Sequence, residues 1–276
     1  MPPATCRPPR TPPARRRNEL SRRLAGPALS GLLLGAQPSG GAAFVEQLQA
    51  LDRAAREEAV AAELQRGNLP SFLRRLVPLR VEARTADGVR HRALVRVMPD
   101  VLAIGTDADF ARLPMTPLTA QAFCDAFGFA LPTRKLVEET WRQARRKLWP
   151  QPLVEERESP LTFLRHHRII EEQLAGTRRG VLVAGHKKDL VVTNRLREQP
   201  RRVAIFGWIK PTGEPIQPLS IVHGEAYVDY SHGVRPLLRR IEVDGLPRDY
   251  YELLRDPLLS VLLSDEGPID NARYDR

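Results

Sequence analysis

Apolar and charged positions alternate twice between residues 77 and 97. Leu79, Val81 and Ala83 interleave with Arg80, Glu82 and Arg84; beyond Asp87-Gly88, Ala93, Val95 and Val97 share one face of the run from Val89. Period two on both sides of an Asp-Gly turn predicts a β-hairpin with one buried face. Upstream, Phe44, Leu48, Leu51, Ala55 and Leu64 recur at helical spacing, which predicts a helix over 44–66 closed by Gly67-Asn68. Ser71 caps a short turn carrying Phe72, Leu73 and Leu76, and Val101 to Gly105 reads as a short strand.

The middle of the chain changes period. Thr116-Pro117 offers a cap and a first-turn proline for a helix that Gly128 stops. Thr133 starts a second helix with Leu136, Val137, Trp141, Ala144 and Leu148 along one side and Arg142, Arg145, Arg146 and Lys147 on the other. Ser159-Pro160 starts a third, ended by Gly176. After Gly180 the pattern returns to short strands at 181–184, 190–193, 203–208 and 237–243, followed by the turn Asp244-Gly245 and a helix over 250–263. Strands, then helices, then strands predict an α+β fold with a mostly antiparallel sheet and a central helical segment. No repeat and no Gly/Ser linker divides it, so residues 44–276 read as one α+β domain. The best internal boundary candidate is the proline-flanked stretch 150–160.

Composition adds little until it is mapped. Apolar residues make up 42% and charged residues 28%, values of a soluble globular protein. The net charge of +10 suggests nucleic acid, but residues 1–42 hold seven arginines against one glutamate, a net of +6 that leaves +4 for the remainder. That remainder is a poor phosphate-binding surface, so a nucleic-acid partner is not expected. The leader (residues 1–43) places Arg15-Arg16-Arg17 and Arg22-Arg23 before the apolar run Leu24 to Ala36 and a small-residue exit at 37–43. It resembles a bacterial secretory signal peptide, and Ser21-Arg22-Arg23 is similar to part of the twin-arginine export motif. The alternative is a disordered Pro/Arg tail, given Pro2, Pro3, Pro8, Pro9, Pro12 and Pro13. The apolar run of 13 residues is too short to cross a bilayer and nothing later is longer, so no transmembrane segment is expected. Removal of the leader would take Cys6 and leave Cys124 without a disulfide partner; Cys124 lies among Phe123 and Phe127 and reads as a buried thiol.

Candidate chemistry concentrates between Gly180 and Arg235. Three of the six histidines adjoin a glycine there, in Gly185-His186-Lys187-Lys188-Asp189, His223-Gly224 and Ser231-His232-Gly233, with Tyr227, Asp229 and Tyr230 close by. Mixed His, Asp, Tyr, Ser and Lys is what an acid/base or ligand-binding site needs. His186, His223, Asp229 and His232 form the candidate acid/base or metal set; a zinc ion is possible there and not required. Tyr227 or Tyr230 could serve as acid with a histidine as base. Ser231 could serve as nucleophile, with His223 or His186 taking its proton more readily than adjacent His232. Lys187, Lys188 and Arg235 could hold an anionic group. The plainer alternatives are a charged hairpin tip with two solvated lysines at 187–188, and histidines and tyrosines that satisfy one another in a polar core. Of the remaining histidines, His91 alternates with hairpin arginines, and of His166-His167 one ring should pack and the other face water. Asp265-Glu266 reads as an exposed acid pair after a helix, and no glycine-rich phosphate loop occurs.

Ser231-His232-Gly233-Val234-Arg235 after His223-Gly224 resembles the catalytic loop of the L,D-transpeptidases, whose Ser-His-Gly-Cys segment is closed by Arg or Asn. His232 matches the motif histidine and Gly233 its glycine. Val234 stands where that family has its cysteine nucleophile, so the family's chemistry cannot operate, and the His-Gly pair lies closer than in the family. The whole chain is similar to exported bacterial proteins. These readings converge on an exported, periplasmic or extracellular hydrolase, with lyase chemistry as a variant. Its substrate would be an anionic or carboxylate-bearing polymer or peptide of the envelope, with peptidoglycan the candidate that the resemblance implies. The competing reading is a secreted module that binds a glycan or peptide without cleaving it.

Overall fold

The computed structural model describes residues 40–275, and the expected leader lies outside them except for its last few residues. In chain order the helices are α1 (Gly41–Gln49), α2 (Arg53–Gln65), α3 (Pro117–Phe127), α4 (Arg134–Gln143), α5 (Pro160–Gln173), α6 (Arg195–Glu198) and α7 (Tyr250–Arg255). The strands before and among the central helices are β1 (Val77–Arg84), β2 (Arg90–Val97), β3 (Ala103–Gly105), β4 (Phe110–Arg112), β5 (Phe129–Ala130) and β6 (Arg146–Lys147). Those after them are β7 (Val183–Ala184), β8 (Lys188–Leu190), β9 (Ile205–Ile209), β10 (Pro215–Ser220), β11 (His232–Gly233), β12 (Leu237–Leu238), β13 (Arg240–Val243) and β14 (Leu246–Asp249). Pairing is mostly antiparallel and the fold is α+β, as the order of patterns implies.

The β1–β2 hairpin is the spine of the larger sheet. It runs in unbroken register from Val77↔Val97 to Arg84↔Arg90, and Leu79, Val81, Ala93, Val95 and Val97 are buried. Val97 pairs with Leu237 as well as Val77, so β12 and β13 occupy the edge of β2 opposite β1. A second sheet, ordered β10-β9-β8-β11, carries the histidine-rich segments, with β8 and β11 its one parallel pair. Two small pairs, β3–β4 and β6–β7, complete the strands of the described residues.

Helix ends follow local rules where those rules are strong. Thr116 caps α3 by accepting from Thr119 N, and Gly128 closes it with φ of 71°. The single helix expected over 44–66 is two, because the Asp52 carboxylate accepts from Ala55 N and starts α2 afresh. Residues 41–43, counted with the leader in sequence, belong to α1. The helix expected to reach Leu148 stops at Gln143; Ala144 is extended, and the Arg145 and Arg146 N–H groups turn to the Leu182 carbonyl. The last helix breaks at Asp256, held extended by Pro257, and resumes only as a 3-10 turn over Leu259–Leu262. Among the described residues no helix is long and apolar enough to cross a membrane.

Candidate functional site

Strand β8 enters the interior rather than a hairpin tip. Gly185 sits at φ of 98°, where a Cβ would lie 2.5 Å from the Leu148 carbonyl oxygen, so only glycine admits this path. The residues that follow are buried: His186 is 1% exposed, Lys187 2% and Lys188 8%. This removes the alternative of two solvated lysines. Parallel pairing sets His232 opposite Lys188 and Gly233 opposite Asp189. Gly233 must be small, because a Cβ there would come within 2.8 Å of Lys187 Cβ.

Around β11 the structure gathers five of the candidate residues. The Asp229 carboxylate accepts from the Ser231 N–H at 2.8 Å, from the Ser231 hydroxyl, from Tyr227 Oη at 2.9 Å and from Arg157 Nη2 at 2.6 Å. Burial alone would raise its pKa, but His232, the Ser231 donors and Arg157 hold it down at about 2. His232 Nε2 lies 4.0 Å from Asp229 Oδ1, and neither ring nitrogen has a hydrogen-bond partner. Burial pushes its pKa down to about 4, against the opposing pull of Asp229, so the ring is neutral at pH 7. Exposed His223 stacks on the Tyr227 ring at 4.1 Å and 18°, and Tyr227 meets His232 edge-on at 5.7 Å. Burial, then the Asp229 charge, lift the Tyr227 phenol to about 12, so it keeps its proton and donates. A surface imidazole, a phenol and a buried imidazole thus stand in a row above one carboxylate.

The remaining candidates lie elsewhere. His186 Nε2 pairs with Asp100 Oδ1 at 2.9 Å, and Arg112 grips Asp100 Oδ2 with Nε at 3.0 Å and Nη2 at 2.6 Å. Burial would raise the Asp100 pKa, yet Arg112 and His186 hold it well below the usual carboxylate range. Arg112 also donates to Glu171 at 2.8 Å, and Glu171 pairs in turn with Arg179. Lys187 donates its ammonium to the Tyr230 carbonyl, and burial brings it down to about 7. Arg235 donates to the Met98 and Val183 carbonyls at 2.9 and 2.8 Å, tying segments together rather than facing outward. Its Nε lies 3.9 Å from Asp189, whose carboxyl burial raises to about 6. The Tyr230 hydroxyl donates to the Leu153 carbonyl at 2.9 Å, and its ring packs on His166 and Trp208. Ser231 donates its hydroxyl proton to Asp229 and not to an imidazole, so no histidine is placed to activate it as a nucleophile. Among the described residues no three His, Cys, Asp or Glu side chains cluster as a metal would need, so the donor set does not fit zinc.

Several contributors are not visible as motifs. Arg157 lies in the proline-flanked stretch that resembles a domain boundary, and its three charged neighbours there, Glu155, Glu156 and Glu158, hide its role. Trp208 ends a plain apolar run, but holds φ of 51° and lays its indole 4.6 Å from the Lys188 ammonium. Both His166 and His167 are buried, at 0% and 6%, against the expectation that one faces water. His167 Nδ1 lies 3.1 Å from Arg112, while His166 has no partner for either nitrogen. Compared with known protein families, with curated proteins and with solved structures, the chain matches none.

Proposed function

We propose that the protein is an exported hydrolase acting on a cell-envelope or extracellular polymer, with peptidoglycan the first substrate to test. The observation that carries this reading is the row His223–Tyr227–His232 set over the Asp229 carboxylate, running from the surface to the interior. Neutral His232 supplies a base that can take a proton. Asp229 stays ionised and fixes the Tyr227 and Ser231 hydroxyls, and Tyr227, protonated and donating to Asp229, holds its ring between the two imidazoles. His223, in contact with solvent, is the group able to exchange protons with a leaving group or water. The export part of the reading rests on the basic, apolar leader.

A second reading has its own support: the face-to-face His223–Tyr227 pair is a flat platform on which a sugar or peptide group could pack without being cleaved. One experiment separates the two. The full chain is incubated with purified peptidoglycan, with and without a chelator, and released fragments are identified by mass spectrometry. The hydrolase reading expects new fragments that survive chelation and fall about 10²–10⁴-fold in His232→Gln, the span of a lost general base, with a smaller loss in His223→Ala. Binding to the polymer with no fragments, weakened only partly by His223→Ala, would establish the binding module instead.

A further inference from the structure

Lys188 differs from every other buried cation described above. Arg112 has two carboxylates, Arg235 two carbonyls and Lys187 one carbonyl. Lys188, whose side chain is largely buried, forms no ion pair with an acid of the described residues; its ammonium lies over the Trp208 ring and makes no side-chain hydrogen bond among them. The stem is buried while the ammonium stays within reach of solvent, so a ligand can approach it over the ring face. The acid whose charge reaches it is Asp229, but that carboxylate is engaged by Ser231, Tyr227 and Arg157. Burial lowers the Lys188 pKa while Asp229 raises it.

Its place on the sheet gives the unpaired charge a use. Lys188 and His232 are register partners on parallel strands, so their side chains project from the same face about 5 Å apart. The indole beneath is held firmly: Trp208 Nε1 donates to the His186 carbonyl at 3.1 Å, and its backbone N–H to the Lys187 carbonyl at 2.9 Å. A bulky residue kept at φ of 51° is a strained arrangement, of the kind concentrated at ligand clamps.

We propose that Lys188, backed by the Trp208 indole, binds one carboxylate of the substrate beside His232. A single carboxylate suits the site better than a phosphate dianion, because Lys188 is the one cation beside His232 that lacks an acid partner among the described residues, and the Asp229 charge that reaches it would repel a second negative charge. The position of this carboxylate next to the reacting bond rests on the hydrolase reading; the binding itself does not.

The test follows the Trp208 indole N–H by NMR in the full chain, assigned against Trp208→Phe, during titrations with acetate and with inorganic phosphate at constant ionic strength. Acetate should give a saturable shift and phosphate at least about tenfold weaker binding. Lys188→Met, which keeps the stem, should weaken acetate at least about tenfold, and Lys188→Arg should retain it. No saturable acetate shift, phosphate binding as tightly, or acetate binding unchanged in Lys188→Met would each overturn the proposal. Should Lys188→Met fail to fold, the acetate–phosphate contrast in the unaltered chain still decides. Polymer cleavage without an acetate site would sink this inference and leave the hydrolase reading; an acetate site without cleavage would do the reverse.

Discussion

Two buried histidine–aspartate pairs in this molecule are built to opposite ends. His186 and Asp100 are 2.9 Å apart, with Arg112 gripping the carboxylate and Glu171 holding Arg112 in turn. His232 and Asp229 are 4.0 Å apart, and the carboxylate turns instead toward Ser231, Tyr227 and half-exposed Arg157. Both aspartates are held below the usual range although burial would raise them, so ionisation does not distinguish the pairs. What differs is whether the imidazole is committed. His186 gives Nε2 to its aspartate; His232 has neither nitrogen engaged and reaches the surface through two aromatic rings. A closed pair stabilises the fold, and an open one keeps its proton chemistry available.

The sharpest way to break this contrast is to remove the cation from each pair. Arg112→Met leaves Asp100 and Glu171 without their shared partner, and loss of one member of a buried network costs about 3–5 kcal/mol. That is a large fraction of the roughly 5–15 kcal/mol that holds a domain together. The Arg157 side chain is 41% exposed, and Arg157→Met should lose no more than about 1 kcal/mol. Denaturant unfolding of the two variants measures both; equal losses would mean that the Asp229 pair is as structural as the Asp100 pair.

A pH series sharpens the same contrast at the open imidazole. His232 titrates at about 4 in the folded chain against an ordinary 6.5, because burial disfavours its charged form. Between those values the unfolded chain binds a proton that the folded chain does not. The stability that His232 contributes is therefore complete above about pH 6.5 and is lost as pH falls toward 4, by roughly 3 kcal/mol. Depressed His167, at about 3, acts in the same direction. Asp189, raised to about 6, acts in the opposite one below that pH. Asp229, at about 2, loses its contribution only at lower pH. The difference between unaltered chain and His232→Gln isolates the histidine: the variant's unfolding free energy should fall less steeply between pH 6.5 and 4. Parallel curves would show that His232 is not held neutral by burial.

The contrast between the pairs was out of reach of sequence reading, although much around it was not. The hairpin at 77–97 and the caps at Thr116 and Gly128 depend on neighbours a few residues apart, and local chemistry dictates them. The glycine-flanked histidines mark a polar interior segment for the same reason: Gly185 and Gly233 admit backbone where a Cβ would clash. The partners that separate the pairs come from far along the chain. Asp100 is 86 residues from His186 and Arg157 is 72 from Asp229, so neither spacing nor period connects them. The pattern of α5 shows an apolar face but not that its other side also packs, which is why both His166 and His167 are buried. Lys187 and Lys188 look like surface charge until β9 and β11 close over β8 on both edges.

The smallest effect tests how far the open pair depends on Tyr227. Tyr227→Phe keeps the ring between His223 and His232 but removes the hydroxyl that donates to Asp229 at 2.9 Å. The site is partly open, so the stability loss should stay near or below about 1 kcal/mol. The more telling readout is the His232 titration followed by NMR. With one donor fewer, the Asp229 charge is less compensated and favours the imidazolium more, so the His232 pKa should rise from about 4 by about half a unit. A His232 titration that does not move would mean Asp229 acts on Tyr227 and Ser231 alone. The 4.0 Å gap would then separate two independent groups, and the row from His223 inward would lose its acid–base coupling at the innermost step.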